Sequence, residues 1–177
     1  MIYALSVRVN GVDYSAAVEA ECTLLDLLRR TLGLTGTKEG CDDSECGACM
    51  VLIDGVPVNS CCALALQAAS REVTTIEGVG DDAVGRTIQA RMLEEGGVQC
   101  GFCTPGIVIS ACALLSGESD PGVEQIRTAL AGNLCRCTGY QKIVAAVSKA
   151  AADLATRGEG STPLNAQTDI HFRRLHQ

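Results

Sequence analysis

No run in this sequence approaches the roughly eighteen consecutive apolar residues that a membrane-spanning helix requires. Basic residues are in short supply. The 14 Lys and Arg against 21 Asp and Glu leave a net charge of -7 and a pI near 4.8, which argues against the basic face that nucleic-acid phosphates select. No flavin or nucleotide motif is visible. The chain does not open as a secretory signal either: "MIYALSVRVNG" alternates and carries Arg8 early, so it reads as a strand. These absences lead to the expectation of a folded cytoplasmic chain whose partners are proteins or small cofactors, with no nucleic acid and no transmembrane segment.

What is abundant is cysteine, eleven in 177 residues. A reducing compartment disfavours structural disulfides, and disulfide frameworks belong mainly to short secreted chains with signal peptides. Metal ligation is therefore the leading explanation. With 47% hydrophobic content the chain has room for one medium domain or two small ones around a real core.

The first half reads as a small α/β unit. "IYALSVRV" alternates, Asn10-Gly11 is a hairpin turn signal and "VDYSAAV" returns antiparallel. Thr23 and Asp26 resemble a capping box ahead of an apolar face of Leu24, Leu25, Leu27, Leu28 and Leu32, closed by Gly33. After a loop rich in Gly and Cys, "CMVLI", Asp54-Gly55 and "VPV" suggest a second hairpin, with "EVTTI" as a last strand. Five short strands around one helix make a β-grasp-like arrangement. Beyond Gly78 the pattern turns helical, at roughly 83–95, 105–116, 122–131 and 140–155. "GIVISACALL" is apolar nearly all round and is expected to be buried on every side. The expected division is 1–77, 78–157 and an extended or disordered tail over 158–177, with the linker near "EGVGDDAVG".

The thiols fall into two sets. Cys41, Cys46 and Cys49 are spaced C-x4-C-x2-C, the plant-type 2Fe-2S pattern, and are followed by the adjacent pair Cys61 and Cys62. Two ferric ions, two sulfides and four thiolates carry a formal charge of about -2, so the loop must wrap closely with N-H groups facing inward. Gly40 and Gly47 permit such turns. Zinc also takes four cysteines but favours two short knuckles, and here only Cys46 and Cys49 make one. Spacing alone leaves Cys61 and Cys62 open as the fourth ligand. Strand alternation would send one toward the cluster and the other into packing. Cys22 and Cys112 read as plain core residues.

In the second set, Cys100-x2-Cys103 leads into Thr104-Pro105, and Cys135-x-Cys137 leads into Thr138, which with Gln141 fits a capping box. Both pairs precede a helix, so converging helix N-termini would favour a second anionic cluster. A zinc knuckle is the alternative.

"GLTGTKEGC", "ECGAC", "LIDG", "VQCGFCTPG" and "GNLCRCTGYQKIV", in this order, resemble the small iron-sulfur subunit of the molybdenum hydroxylases, the xanthine oxidase and dehydrogenase family. The resemblance runs over about residues 3–155. It implies an α+β chain, an N-terminal β-grasp plant-type ferredoxin domain followed by a four-helix-bundle 2Fe-2S domain. By the same resemblance Cys41, Cys46, Cys49 and Cys61 would hold an outer cluster facing a flavin. Cys100, Cys103, Cys135 and Cys137 would hold an inner cluster beside the pterin of a molybdenum cofactor in a large subunit, and Gln99 matches a glutamine that contacts that pterin. FAD would sit in a medium subunit. The implied function is electron transfer within a molybdenum hydroxylase complex, an oxidoreductase, with no catalytic residue or substrate site on this chain. A free-standing soluble two-cluster ferredoxin and a zinc-stabilised assembly module are the competing readings. The apolar second half tilts against the free carrier, since it implies a buried inner cluster.

Where the family often has Gly, this chain has Ser44, a change that matters if the position needs positive φ. Met50 stands in place of Thr, and Cys62 in place of an aliphatic residue. The tail, with His171, Arg173, Arg174 and His176, has no family match and is expected to serve partner docking.

Overall fold

The structure is a computed structural model that describes residues 1–158; the expectations for the tail beyond that lie outside the described residues. Strand β1 (Ile2–Val9) turns through Asn10 and Gly11, both at positive φ, into β2 (Val12–Glu19). Two left-handed residues in succession give the turn whose twist matches a right-handed hairpin. Asp54 and Gly55 repeat the device between β3 (Met50–Ile53) and β4 (Val56–Asn59), pairing Ile53 with Val56. With β5 (Glu72–Thr74) these form a sheet of order β2-β1-β5-β3-β4, in which only β1 and β5 run parallel.

The turn residues Asn10 and Asp54 also tie their hairpins to β5 and the residue that follows it. Asn10 Oδ1 accepts the Thr75 N-H at 2.8 Å, and Asp54 Oδ1 accepts the Glu72 N-H at 2.9 Å.

Helix α1 (Leu24–Asp26) covers the sheet, and Thr23 caps it by accepting the Asp26 N-H at 3.0 Å. The Asp26 carboxylate takes the Thr23 hydroxyl rather than its N-H, so half of the expected capping box forms. The helix then widens into a π turn over Leu27–Thr31, where Leu32 N-H reaches back five residues to Leu27 O. Leu24, Leu25, Leu27 and Leu28 are all buried along this segment.

The second half begins with a short α2 (Ile76–Val79) that periodicity did not reveal, followed by α3 (Ala83–Glu94), α4 (Thr104–Gly117), α5 (Val123–Ala129) and α6 (Gln141–Arg157). Asp82 caps α3 through the N-H groups of Val84 and Gly85. Every residue of α4 from Gly106 to Cys112 is buried, as its all-round apolar sequence requires. Arg91 of α3 forks onto Asp153 of α6 at 2.6 and 2.8 Å.

The two hydrophobic cores meet at β3. Val51 and Ile53 point into the sheet-and-α1 core, while Leu52 between them belongs to the helical core. Strand alternation thus makes one four-residue strand a wall shared by both halves.

Candidate functional site

Cys41, Cys46 and Cys49 lie on a loop whose base is closed by the Lys38 N-H donating to Ala48 O at 3.1 Å. Asp42, Ser44 and Gly47 are all left-handed, and this repeated reversal curls the chain back on itself. The Cys46 N-H consequently points at Cys41 Sγ, 3.4 Å away. A Cβ on Gly40 would come within 2.8 Å of Cys46 Sγ, so this position must stay bare. The remaining thiols come from the β3-β4 hairpin, where Ser60 donates both its N-H and its hydroxyl to Cys49 O, the latter at 2.7 Å. This pins Cys61 beside Cys49, and both are buried with Leu25.

Burial first, and then the nearby Cys49 thiol, push Cys61 up to about 12. Cys41 behaves oppositely. A hydrogen bond with Asp43 works to raise it, but the N-H groups of Asp43 and Cys46 outweigh this and hold the thiol below the ordinary cysteine value.

Cys62 does not pack inward as alternation predicted. Strand β4 ends at Asn59 and Cys62 N-H closes a turn onto Asn59 O, so the period of two no longer applies. Its side chain is exposed, with Sγ 3.8 Å from that of Cys61. Cys22 is half-buried at the edge of the first core, whereas Cys112 is fully inside the helical one. Ser44 does sit at positive φ, +65°; its carbonyl accepts the Asn59 side-chain amide at 3.0 Å, and its Oγ lies 4.0 Å from Cys61 Sγ.

The second set also converges. Cys100 and Cys137 meet at 3.6 Å between sulfurs, and Cys103 feels both Cys100 and Cys135. Burial, then those neighbours, push Cys103 up to about 12. For Cys135 burial raises the thiol, but bonds from the Thr138 hydroxyl and from the N-H groups of Thr138 and Cys137 prevail and hold it low.

The helix starts differ from expectation. Helix α4 is capped at Cys103, one residue earlier than predicted. Helix α6 begins after Tyr140, which is left-handed at φ +66° and uses no side-chain cap. Thr138 is occupied instead by Cys135 Sγ, at 3.0 Å. Cys100 and Cys137 are exposed and Cys103 and Cys135 only half-buried, so the set opens to the surface rather than lying deep in the apolar half. Gln99, next to Cys100, is exposed as well.

Two residues given no role by sequence reasoning hold the site together. The Tyr140 hydroxyl accepts the Cys135 N-H at 2.7 Å and donates to Asn133 O at 2.8 Å, locking the turn between them. Asn133, 2% exposed, donates its side-chain N-H to Gly47 O at 3.1 Å, and the Leu134 N-H donates to Cys46 O at 2.9 Å. A Cβ on Gly47 would strike Gly132 O, and one on Gly106 would strike Gly47 O. The two thiol loops are therefore in direct main-chain contact. The "GNLCRCTGY" signature contained these residues, but nothing in their types announced a bridge.

The donor sets are all sulfur, with amides and hydroxyls directed at them, which fits a cluster of soft, anionic character. Among the described residues no three His, Cys, Asp or Glu side chains gather as tightly as a single metal ion requires. A binuclear cluster spreads four thiolates over two irons and asks for a wider ring.

Family models agree: that of the 2Fe-2S iron-sulfur cluster binding domain matches residues 7–75, and that of the [2Fe-2S] binding domain matches residues 75–148. The chain is 50% identical to the nicotinate dehydrogenase small FeS subunit of Eubacterium barkeri, over 81% of this chain and 91% of that one. It is 42% identical to the aldehyde oxidoreductase of Megalodesulfovibrio gigas over 94% of this chain, but spans only 18% of that longer protein. Among solved structures, quinoline 2-oxidoreductase from Pseudomonas putida 86 superposes with a TM-score of 0.82 at 40% identity, covering 89% of this chain and 98% of the other. The two matched domains, the two thiol sets and this likeness along nearly the whole chain lead to one conclusion: the protein belongs to the small 2Fe-2S iron-sulfur subunits of the molybdenum hydroxylase family.

Proposed function

We propose that this chain passes electrons singly between the molybdenum-pterin centre of a large subunit and FAD in a medium subunit, through two 2Fe-2S clusters, and holds no substrate site of its own. Cys41, Cys46, Cys49 and Cys61 are the ligands of the outer cluster; Cys100, Cys103, Cys135 and Cys137 are those of the inner one. The first domain runs over 1–77 and the second over 78–157. The clusters supply one-electron chemistry. The protein supplies their spacing, their hydrogen bonds and their exposure.

The observation that carries this reading is the hydrogen-bonded junction between the thiol loops, which fixes one set against the other. A second supports the subunit over the free-standing ferredoxin. Leu93, Phe102 and Leu134 are 71%, 48% and 58% exposed around the open second set. Apolar surface of this kind calls for a protein cover, and Gln99 lies on the same side as a polar contact for the pterin. Among the described residues no helix is long and apolar enough to cross a membrane.

The purified chain should contain about four irons and four acid-labile sulfides, with two distinct paramagnetic signals on reduction. It should co-purify with a molybdenum subunit and a flavin subunit. Full iron loading with a single reducible centre would overturn the two-cluster reading, and a monodisperse chain that never associates would favour the free carrier.

A further inference from the structure

Five thiols, not four, surround the first site. Cys41, Cys46, Cys49 and Cys61 suffice for one cluster, yet Cys62 presents its Sγ 3.8 Å from that of Cys61. No packing holds the Cys62 side chain, which is exposed on the turn after β4. It is therefore free to exchange among its staggered rotamers. The backbone on either side is anchored. Buried Ser60 is hydrogen-bonded to Cys49 O, and Ala63 O accepts the Leu24 N-H at 2.7 Å. With the flanking backbone held, the 3.8 Å between the two sulfurs is the distance that a rotation of the Cys62 side chain has to close.

We propose that Cys62 is a reserve ligand of the outer cluster, able to take the iron site of Cys61 when that thiolate is lost. The inference rests on the assignment of Cys61 as the resident ligand. The exchange is redox-neutral: the Fe–S bond to Cys61 breaks and that sulfur takes a proton, while Cys62 releases its proton to solvent and forms the new Fe–S bond. Cys61 is the buried member of the pair, so it holds the cluster where water is excluded, and Cys62 captures an iron site that has opened toward solvent.

The test uses the holo chain, with the inner cluster as an internal standard for folding. Cys61→Ala should keep about four irons per chain and retain an outer signal, displaced in its g values and visible bands because a more exposed sulfur now ligates. Cys61→Ala combined with Cys62→Ala should fall to about two irons, leaving only the inner signal. Cys62→Ala alone should match the parent spectrum but lose its outer cluster faster to a chelator. Loss of the outer cluster in Cys61→Ala itself would overturn the reserve role and leave the Cys61 assignment standing. Retention of the outer cluster in the double variant would overturn it too, since another group would then be the replacement. An unchanged spectrum in Cys61→Ala, with the cluster missing in Cys62→Ala, would overturn the assignment on which the proposal rests. If Cys61→Ala also loses the inner signal, the same comparison with Cys61→Ser, which preserves side-chain volume, decides in its place.

Discussion

The amide of Leu134 donates to the carbonyl of Cys46 at 2.9 Å, so a cysteine of the first thiol set is hydrogen-bonded to the neighbour of Cys135 in the second. Asn133 seals this contact from the side. Asn133→Ala removes its bond to Gly47 O and leaves a buried carbonyl without that donor, which should cost about 1 to 3 kcal/mol. Thermal unfolding of the holo chain should register the loss. An unaltered midpoint would mean that the junction is held by the glycine contacts and the Leu134 bond alone.

Tyr140→Phe removes one hydroxyl that serves two main-chain groups, the Cys135 N-H and Asn133 O. The expected effect is local: an altered or broadened signal from the second cluster with the first unchanged, and a stability loss of about 1 to 2 kcal/mol. Equal disturbance of both signals would show that the ring packing of Tyr140, not its hydroxyl, dominates.

Ser44 occupies a left-handed position that costs most residues with a side chain roughly 1 to 2 kcal/mol. Ser44→Gly should raise the thermal midpoint of the holo chain slightly, and Ser44→Val should lower it, since β-branched residues tolerate this region least. If glycine lowers the midpoint instead, the contact of Ser44 Oγ with Cys61 outweighs the backbone strain.

The Arg91–Asp153 fork carries a pH signature. The hydrogen bond from Arg91 holds the Asp153 carboxyl below the ordinary carboxylate range despite an opposing effect of burial. A group depressed on folding stabilises above its unfolded value, about 3.9, and that contribution is lost as pH falls through the lower folded value. The melting difference between the parent and Asp153→Asn should therefore be full at neutral pH and close in the acid range below about 4. A difference that stays constant into acid would assign the effect to packing.

Much of this was legible in the sequence because the signals were local. Asn10-Gly11 and Asp54-Gly55 name their turns by residue type, and the leucines of α1 and the apolar length of α4 announce their burial. Ser44 stood out against the glycine common in the family, and the positive φ on which that difference would matter is present. What failed depended on geometry a few residues long. Cys62 was placed by a strand period that ends at Asn59, and Thr138 by a capping pattern that Tyr140 overrides with a left-handed entry to α6. The second thiol set was expected to be buried because its helices are apolar. Helix ends lie at the rim of a bundle, however, so Cys100 and Cys137 reach the surface. The Asn133 and Leu134 bridge spans more than eighty residues, and no periodicity records such a contact.

Leu52 turns its back on Val51 and Ile53, and this has a consequence for modularity. Cut between the halves, the sheet would carry a naked leucine on its outer face and the helical bundle would lose a wall of its interior. In this chain the helical half therefore takes one of its interior residues from a strand of the other half.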